Sequence, residues 1–126
     1  KQTGSGLGLA TSYSIIKKDT IHVLILEGEL IDKNQANEFI HKVDEIIIDD
    51  NNKFVIDISN LKYLNSSGLS ILIQILTKAR KKGGEVVIAH VSERINELFI
   101  ITKLNTVFTI TDTVSSGIAI LNKLSD

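Results

Sequence analysis

Two hydrophobic periods alternate along the chain. YSIIKK from Tyr13 and the longer IHVLILEGEL are rich in β-branched and apolar residues, with Lys18-Asp19-Thr20 between them. That spacing predicts two strands joined as an antiparallel hairpin ending near Gly28. The pattern then changes: Ala36, Phe39, Ile40, Val43, Ile46 and Ile47 fall at helical spacing within DKNQANEFIHKVDEIIIDDN, with Asp32 or Asn34 as the N-cap. KFVIDIS is a short continuous run of β-branched residues, suited to a strand covered on both faces.

The next helix starts near Ser66. Leu69, Leu72, Ile73, Leu76 and Ala79 form its apolar stripe, and Gly83-Gly84 supplies its stop. EVVIAHV reads as another buried strand, Ser92 as the cap of ERINELFIITK, VFTIT as a short strand, and Asp112 or Thr113 as the cap of VSSGIAILNKL. The order β-β-α-β-α-β-α-β-α implies an α/β fold, a small mixed sheet flanked by helices. Strands alternating with helices form parallel units, and the first hairpin adds an antiparallel pair.

Composition narrows the function classes. At 126 residues with 43% hydrophobic content, the chain suits one domain with an ordinary core. Residues 1–11, KQTGSGLGLAT, form a glycine-rich tail of natural or added origin, and 12–126 form the domain. The absence of cysteine excludes disulfides and thiolate metal sites. No apolar run approaches the roughly 18 residues of a membrane span, and a cytoplasmic setting is expected. A formal net charge of -1 argues against an electrostatic nucleic-acid binder. The one basic cluster, Lys78 to Lys82, ends a helix, where cations complement the dipole.

The chemistry concentrates at Ser66-Ser67-Gly68, one loop beyond the strand FVIDI. Open α/β sheets place their sites at such carboxyl ends. One reading makes Asn65 or Ser66 a helix cap and no more. A second makes a hydroxyl there a switch, because a helix N-terminus tolerates the -1.5 to -2 charges, roughly, of a phosphate. A third, a hydrolase nucleophile, lacks the G-x-S-x-G elbow, since Asn65 stands two places before Ser67. His22, His41 and His90 are scattered, so neither a catalytic partner nor a metal site is expected. Asp57, an acid within an apolar strand, is expected to play a structural part near the site. The tail segment TGSGLGLATS is similar to the glycine box in the ATP lid of histidine-kinase-type ATPases, but no other nucleotide-binding box accompanies it, and no cofactor is assigned.

Three segments, LEGELIDKNQA, FVIDISNLKYLNSSGLSILI and KKGGEVVIAHVSERINELFIITKLNTVFTITDT, together resemble the STAS domains, specifically the bacterial anti-sigma factor antagonists. The likeness runs from Tyr13 to Leu124. It implies a binding domain without catalysis of its own, which regulates transcription indirectly. In that family the serine before the glycine, matching Ser67, is phosphorylated by a partner anti-sigma factor that is itself a serine kinase. The unmodified domain sequesters that kinase, and phosphorylation blocks binding. The resemblance implies partner contacts at Asp32, Asn65, Ser66, Gly68 and Leu69, within loops 28–34 and 64–69. Where the family carries an acid before the serine pair, this chain has Asn65. The alternative is a constitutive interaction module, or an accessory subunit of a transport or signalling complex, with the serines as caps only. Neither reading implies direct contact with nucleic acid or insertion into a membrane, and self-association is expected to go no further than a weak homodimer.

Overall fold

A computed structural model describes residues 11–30, 33–48 and 52–124. The hairpin is β1 (Thr11–Lys18) and β2 (Ile21–Leu30), antiparallel from Thr11↔Gly28 to Lys18↔Ile21, with Asp19 at φ 58° in the turn. The first strand therefore takes in Thr11, the last residue assigned to the tail; the rest of the tail lies outside the described residues. The chain continues through α1 (Lys33–Ile48), β3 (Lys53–Leu64), α2 (Ser66–Lys81), β4 (Glu85–Ala89), α3 (Glu93–Ile101), a 3-10 turn (Leu104–Thr106), β5 (Thr109–Thr111) and α4 (Val114–Leu124). The expected order of strands and helices is the observed one.

Spatial strand order follows chain order, β1-β2-β3-β4-β5, with every pairing after the hairpin parallel. Each crossover therefore steps the same way across the sheet. Right-handed crossovers then place α1, α2 and α3 on one common face. The cores agree. Leu24, Leu26, Phe54, Ile56, Val86 and Ile88 pack with Phe39 and Val43 of α1, Leu72 and Ile75 of α2, and Ile95 and Phe99 of α3. The opposite face, Ile21, Val23, Val55, Val87 and Ala89, is covered by α4 through Leu121. Apolar burial on both sides is why β3 and β4 read as continuous hydrophobic runs.

Glycines set how closely helices approach. A Cβ on Gly117 of α4 would lie 3.2 Å from methyls of Val55 and Val87. At the end of α2, Gly83 takes φ 79° while Gly84 N donates to Ala79 O at 2.9 Å and Gly83 N to Arg80 O at 3.0 Å. Those two bonds are a Schellman stop, as the Gly-Gly pair implied. The basic cluster on the same turn is partly engaged: Lys78 pairs with Asp44 at 2.9 Å, and Arg80 bonds Glu85 and the carbonyl of Val107.

Several boundaries move for physical reasons. α1 already includes Asn34 at its second position, so Asn34 is not its cap; Asp32 lies outside the described residues. α2 buries Ile71 and Ile75 besides Leu69, Leu72, Leu76 and Ala79 of the expected stripe, while Ile73 is only half-buried, because the helix packs against both the sheet and the neighbouring α1. β4 stops at Ala89, where His90 turns the chain at φ 61°. β5 is only three residues long, since Leu104–Thr106 winds into the 3-10 turn and Phe108 is drawn into the core against Phe99. β3 extends five residues beyond KFVIDIS, and that extension leads directly into the site.

Candidate functional site

β3 outruns β4 at its carboxyl end. Its last β4 pair is Asp57↔Ala89, and beyond it the strand pairs only with β2. Register slips twice there: Ile25↔Asp57 gives way to Glu27↔Asn60, and Gly28↔Leu61 to Glu29↔Tyr63. Each slip inserts one extra residue in β3, as a β-bulge does, and bulges re-aim side chains beside sites. Gly28, at φ 91°, occupies the left-handed conformation between the slips. Asp57 supports this distortion: its Oδ1 accepts the Ser59 backbone N–H at 2.9 Å. That bond lies at the first of the two register slips, where β3 leaves β4. Asn60 reaches across the ribbon to Glu27 at 3.5 Å.

After Leu64 the backbone of Asn65 is extended, φ -117° and ψ -171°, and α2 begins at Ser66. Asn65 is the N-cap: its Oδ1 accepts the Gly68 N–H at 2.9 Å, and its carbonyl accepts the Leu69 N–H at 2.9 Å. The sequence left the cap open between Asn65 and Ser66, and the structure decides for Asn65. Neither Ser66 nor Ser67 spends its hydroxyl on capping or on any other described residue. Ser66 lends only its carbonyl, to Ser70 Oγ at 3.1 Å.

Gly68 fixes the position of the whole helix start. A Cβ there would lie 2.1 Å from the carbonyl oxygen of Leu30 and 2.5 Å from Leu64 Cδ1. The first turn of α2 thus sits directly on the ends of β2 and β3. Ser66 consequently projects into solvent, Ser67 is half-buried, and Gly68 and Leu69 are buried. Of the residues expected at a partner surface, Asn65 and Ser66 are accessible. Leu69, at 3% exposure, belongs to the core. Asp32 lies outside the described residues.

Next to this loop in the chain lies a groove of about 270 Å³ between the end of β3 and α3, lined by Tyr63, Leu64, Arg94, Leu98 and Ile101 among others. Tyr63 is 46% exposed and Ile101 77%. Sequence reasoning passed over both. An aromatic one place before a turn was the available signal for Tyr63; Ile101, at the end of an amphipathic helix, gave none. His22 lies at the start of β2, buried against Phe54 with ring centroids 5.9 Å apart, and its Nδ1 has no hydrogen-bond partner among the described residues. Burial, and secondarily the charge of Lys17, lower its pKa below the ordinary 6.5.

A mixed sheet with three helices on one face, one on the other, and a capped serine turn at the carboxyl edge defines a class of small α/β domain. The family is specific: residues 12–117 match the STAS domain model, and the chain belongs to that family. Three solved structures share the fold. A Thermotoga maritima protein, provisionally described as an anti-sigma factor antagonist, is 22% identical over 87% of this chain and 94% of its own, with a TM-score of 0.79. The Bacillus cell fate determinant SpoIIAA in its phosphorylated form is 16% identical over 85% and 96%, TM-score 0.67. A sulfate transporter family protein from Wolinella succinogenes is 13% identical over 87% and 91%, TM-score 0.74. At these identities the likeness is one of fold.

Proposed function

We propose that this STAS domain is an anti-sigma factor antagonist whose binding surface is switched by phosphorylation of Ser67. The observation that carries the reading is the cap. With Asn65 holding the Gly68 amide, the two serine hydroxyls make no hydrogen bond to a described residue, although they stand at a helix N-terminus on the carboxyl edge of the sheet. The constitutive-module alternative rests on Asn65 standing in place of the family's acid; in it the helix cap is Asn65 and not a serine. A phosphate on Ser67 would add about -1.5 to -2 charges beside backbone amides that favour an anion, so the fold accommodates it while the surface changes sign.

The partner is an anti-sigma factor with serine-kinase activity, present in the cytoplasm. The unmodified loop, with Ser66, Asn65 and the exposed face of Tyr63, binds it. Modified Ser67 repels it, and transcription is regulated through release of the anti-sigma factor. That a relative has been solved in a phosphorylated form supports this reading.

The test is the affinity of the unmodified domain and of Ser67→Asp for anti-sigma factor kinases of the source organism. The expected outcome is a binding partner among them whose affinity falls at least tenfold, about 1.4 kcal/mol, with the aspartate. Equal affinity for both forms would sink the electrostatic switch. Recovery of a transporter subunit in place of any kinase would favour the accessory-module reading.

A further inference from the structure

The path of the chain changes sides once. The connection leaving β4 enters α3 on one face of the sheet, whereas the connection leaving β5 enters α4 on the other. Neighbouring parallel strands whose exits part in this way leave a crevice outside their carboxyl ends, the place where open α/β sheets bind small ligands. Here the crevice is real, with a volume of about 230 Å³.

Its lining is polar and convergent. His90 and Val91 come from the end of β4, Glu93 and Asn96 from the first turns of α3, and Ile110, Thr111 and Asp112 from β5 and its exit. The side chains of His90, Glu93, Asn96 and Asp112 make no hydrogen bond or ion pair with another described residue. Thr111 gives its proton to the Thr113 carbonyl at 2.9 Å, which leaves its oxygen as an acceptor. Few polar groups around a preformed cavity, most of them without a partner among the described residues, are what orient a bound small molecule.

Charge selects the ligand class. Two carboxylates outweigh the partial positive ends of α3 and α4, about +0.5 each, so anions are disfavoured. Among the described residues no three His, Cys, Asp or Glu side chains gather as a metal cage. We propose that the crevice between the ends of β4 and β5 binds a small organic cation, a primary amine or guanidinium compound, held by Glu93 and Asp112 and oriented by His90, Asn96 and Thr111. The pocket is separate from the serine loop and stands independently of the antagonist reading.

The experiment is a titration of the ¹⁵N-labelled full chain, followed through its backbone amides. The probes are putrescine, agmatine and L-arginine as cations, with ATP, citrate and Ca²⁺ as controls. The expected result is saturable shifts of the amides of residues 90–96 and 110–113 with at least one organic cation. Affinity should drop about tenfold or more in Glu93→Gln/Asp112→Asn, the loss expected when charged hydrogen-bond acceptors are removed. Both positions are exposed, so the variant should keep the wild-type spectrum elsewhere. The proposal is overturned if no cation gives saturable shifts there, if ATP, citrate or Ca²⁺ shifts the same amides instead, or if the double variant binds as well as the wild type.

Discussion

Replacing Gly68 by alanine separates helix propensity from helix seating. In an unconstrained helix the change would stabilise by about 1 kcal/mol, because alanine is the better helix former. Here the new Cβ would lie 2.1 Å from the Leu30 carbonyl oxygen and 2.5 Å from Leu64 Cδ1. A leucine methyl can rotate away; a strand-end carbonyl cannot. Relief requires lifting the first turn of α2 off β2, and overpacking of that kind costs roughly 1–3 kcal/mol, with a backbone contact at the upper end. The net expectation is destabilisation of about 1–2 kcal/mol. For a chain of 126 residues that lowers the melting temperature by about 4–8 °C.

Gly117→Ala is the control, since its Cβ meets valine methyls at 3.2 Å, which can yield by small rotations. Its cost should be clearly smaller. Thermal and urea unfolding of both variants, followed by circular dichroism, measure the difference. A Gly68→Ala protein as stable as the wild type would show that α2 is not seated on the strand ends.

The remaining predictions are read by unfolding or by amide exchange. Asn65→Ala removes the cap and should cost about 1 kcal/mol, whereas Asn65→Asp keeps the acceptor, adds a charge favourable to the dipole, and should leave stability equal or raised by about 0.3–1 kcal/mol; an unchanged melting temperature for the alanine would refute the cap. His22 titrates below its ordinary 6.5 when folded, so the unfolded chain binds the proton first. Stability is therefore full above pH 6.5 and falls as the pH drops below it, and urea midpoints at pH 5.5 and 7.5 should differ less in His22→Leu than in the wild type. Arg80→Ala breaks the bonds to Glu85 and to the Val107 carbonyl, and amide exchange should speed up around residues 104–108; unaltered exchange would assign that turn's order to Phe108 alone.

Legibility from the sequence followed periodicity. α2 and α4 were readable to the residue or nearly so, because helical stripes and end signals coincide in them, whereas β2 runs two residues past Gly28, where the pattern ended it. The end of β3 was not. Its buried residues Ile58, Leu61 and Leu64 fall every third position, a spacing produced by two bulges that suits neither a flat strand nor a helix. The shortening of β5 was equally hidden, since Phe108 looks like a strand residue but packs from a turn. At the site, the placement of Ser66 and Ser67 at a helix start followed from local pattern. The choice of Asn65 as cap did not, because asparagine and serine cap almost equally well and only the strand-end geometry decides. Ser67 as phosphoacceptor came from family likeness; the geometry adds that Asn65 takes the cap, and that the Ser67 hydroxyl bonds no described residue. The crevice beyond β4 and β5 had no sequence signature, since its residues come together only through the order of strands.

The central claim is that Ser67 carries a phosphate. The direct measurement is intact-mass and peptide mass spectrometry after incubating the protein with ATP and the anti-sigma factor kinase it binds. One phosphate on Ser67, and none on the Ser67→Ala protein, is the predicted result. An unmodified protein, or a phosphate placed on Ser66 and retained in Ser67→Ala, would contradict it.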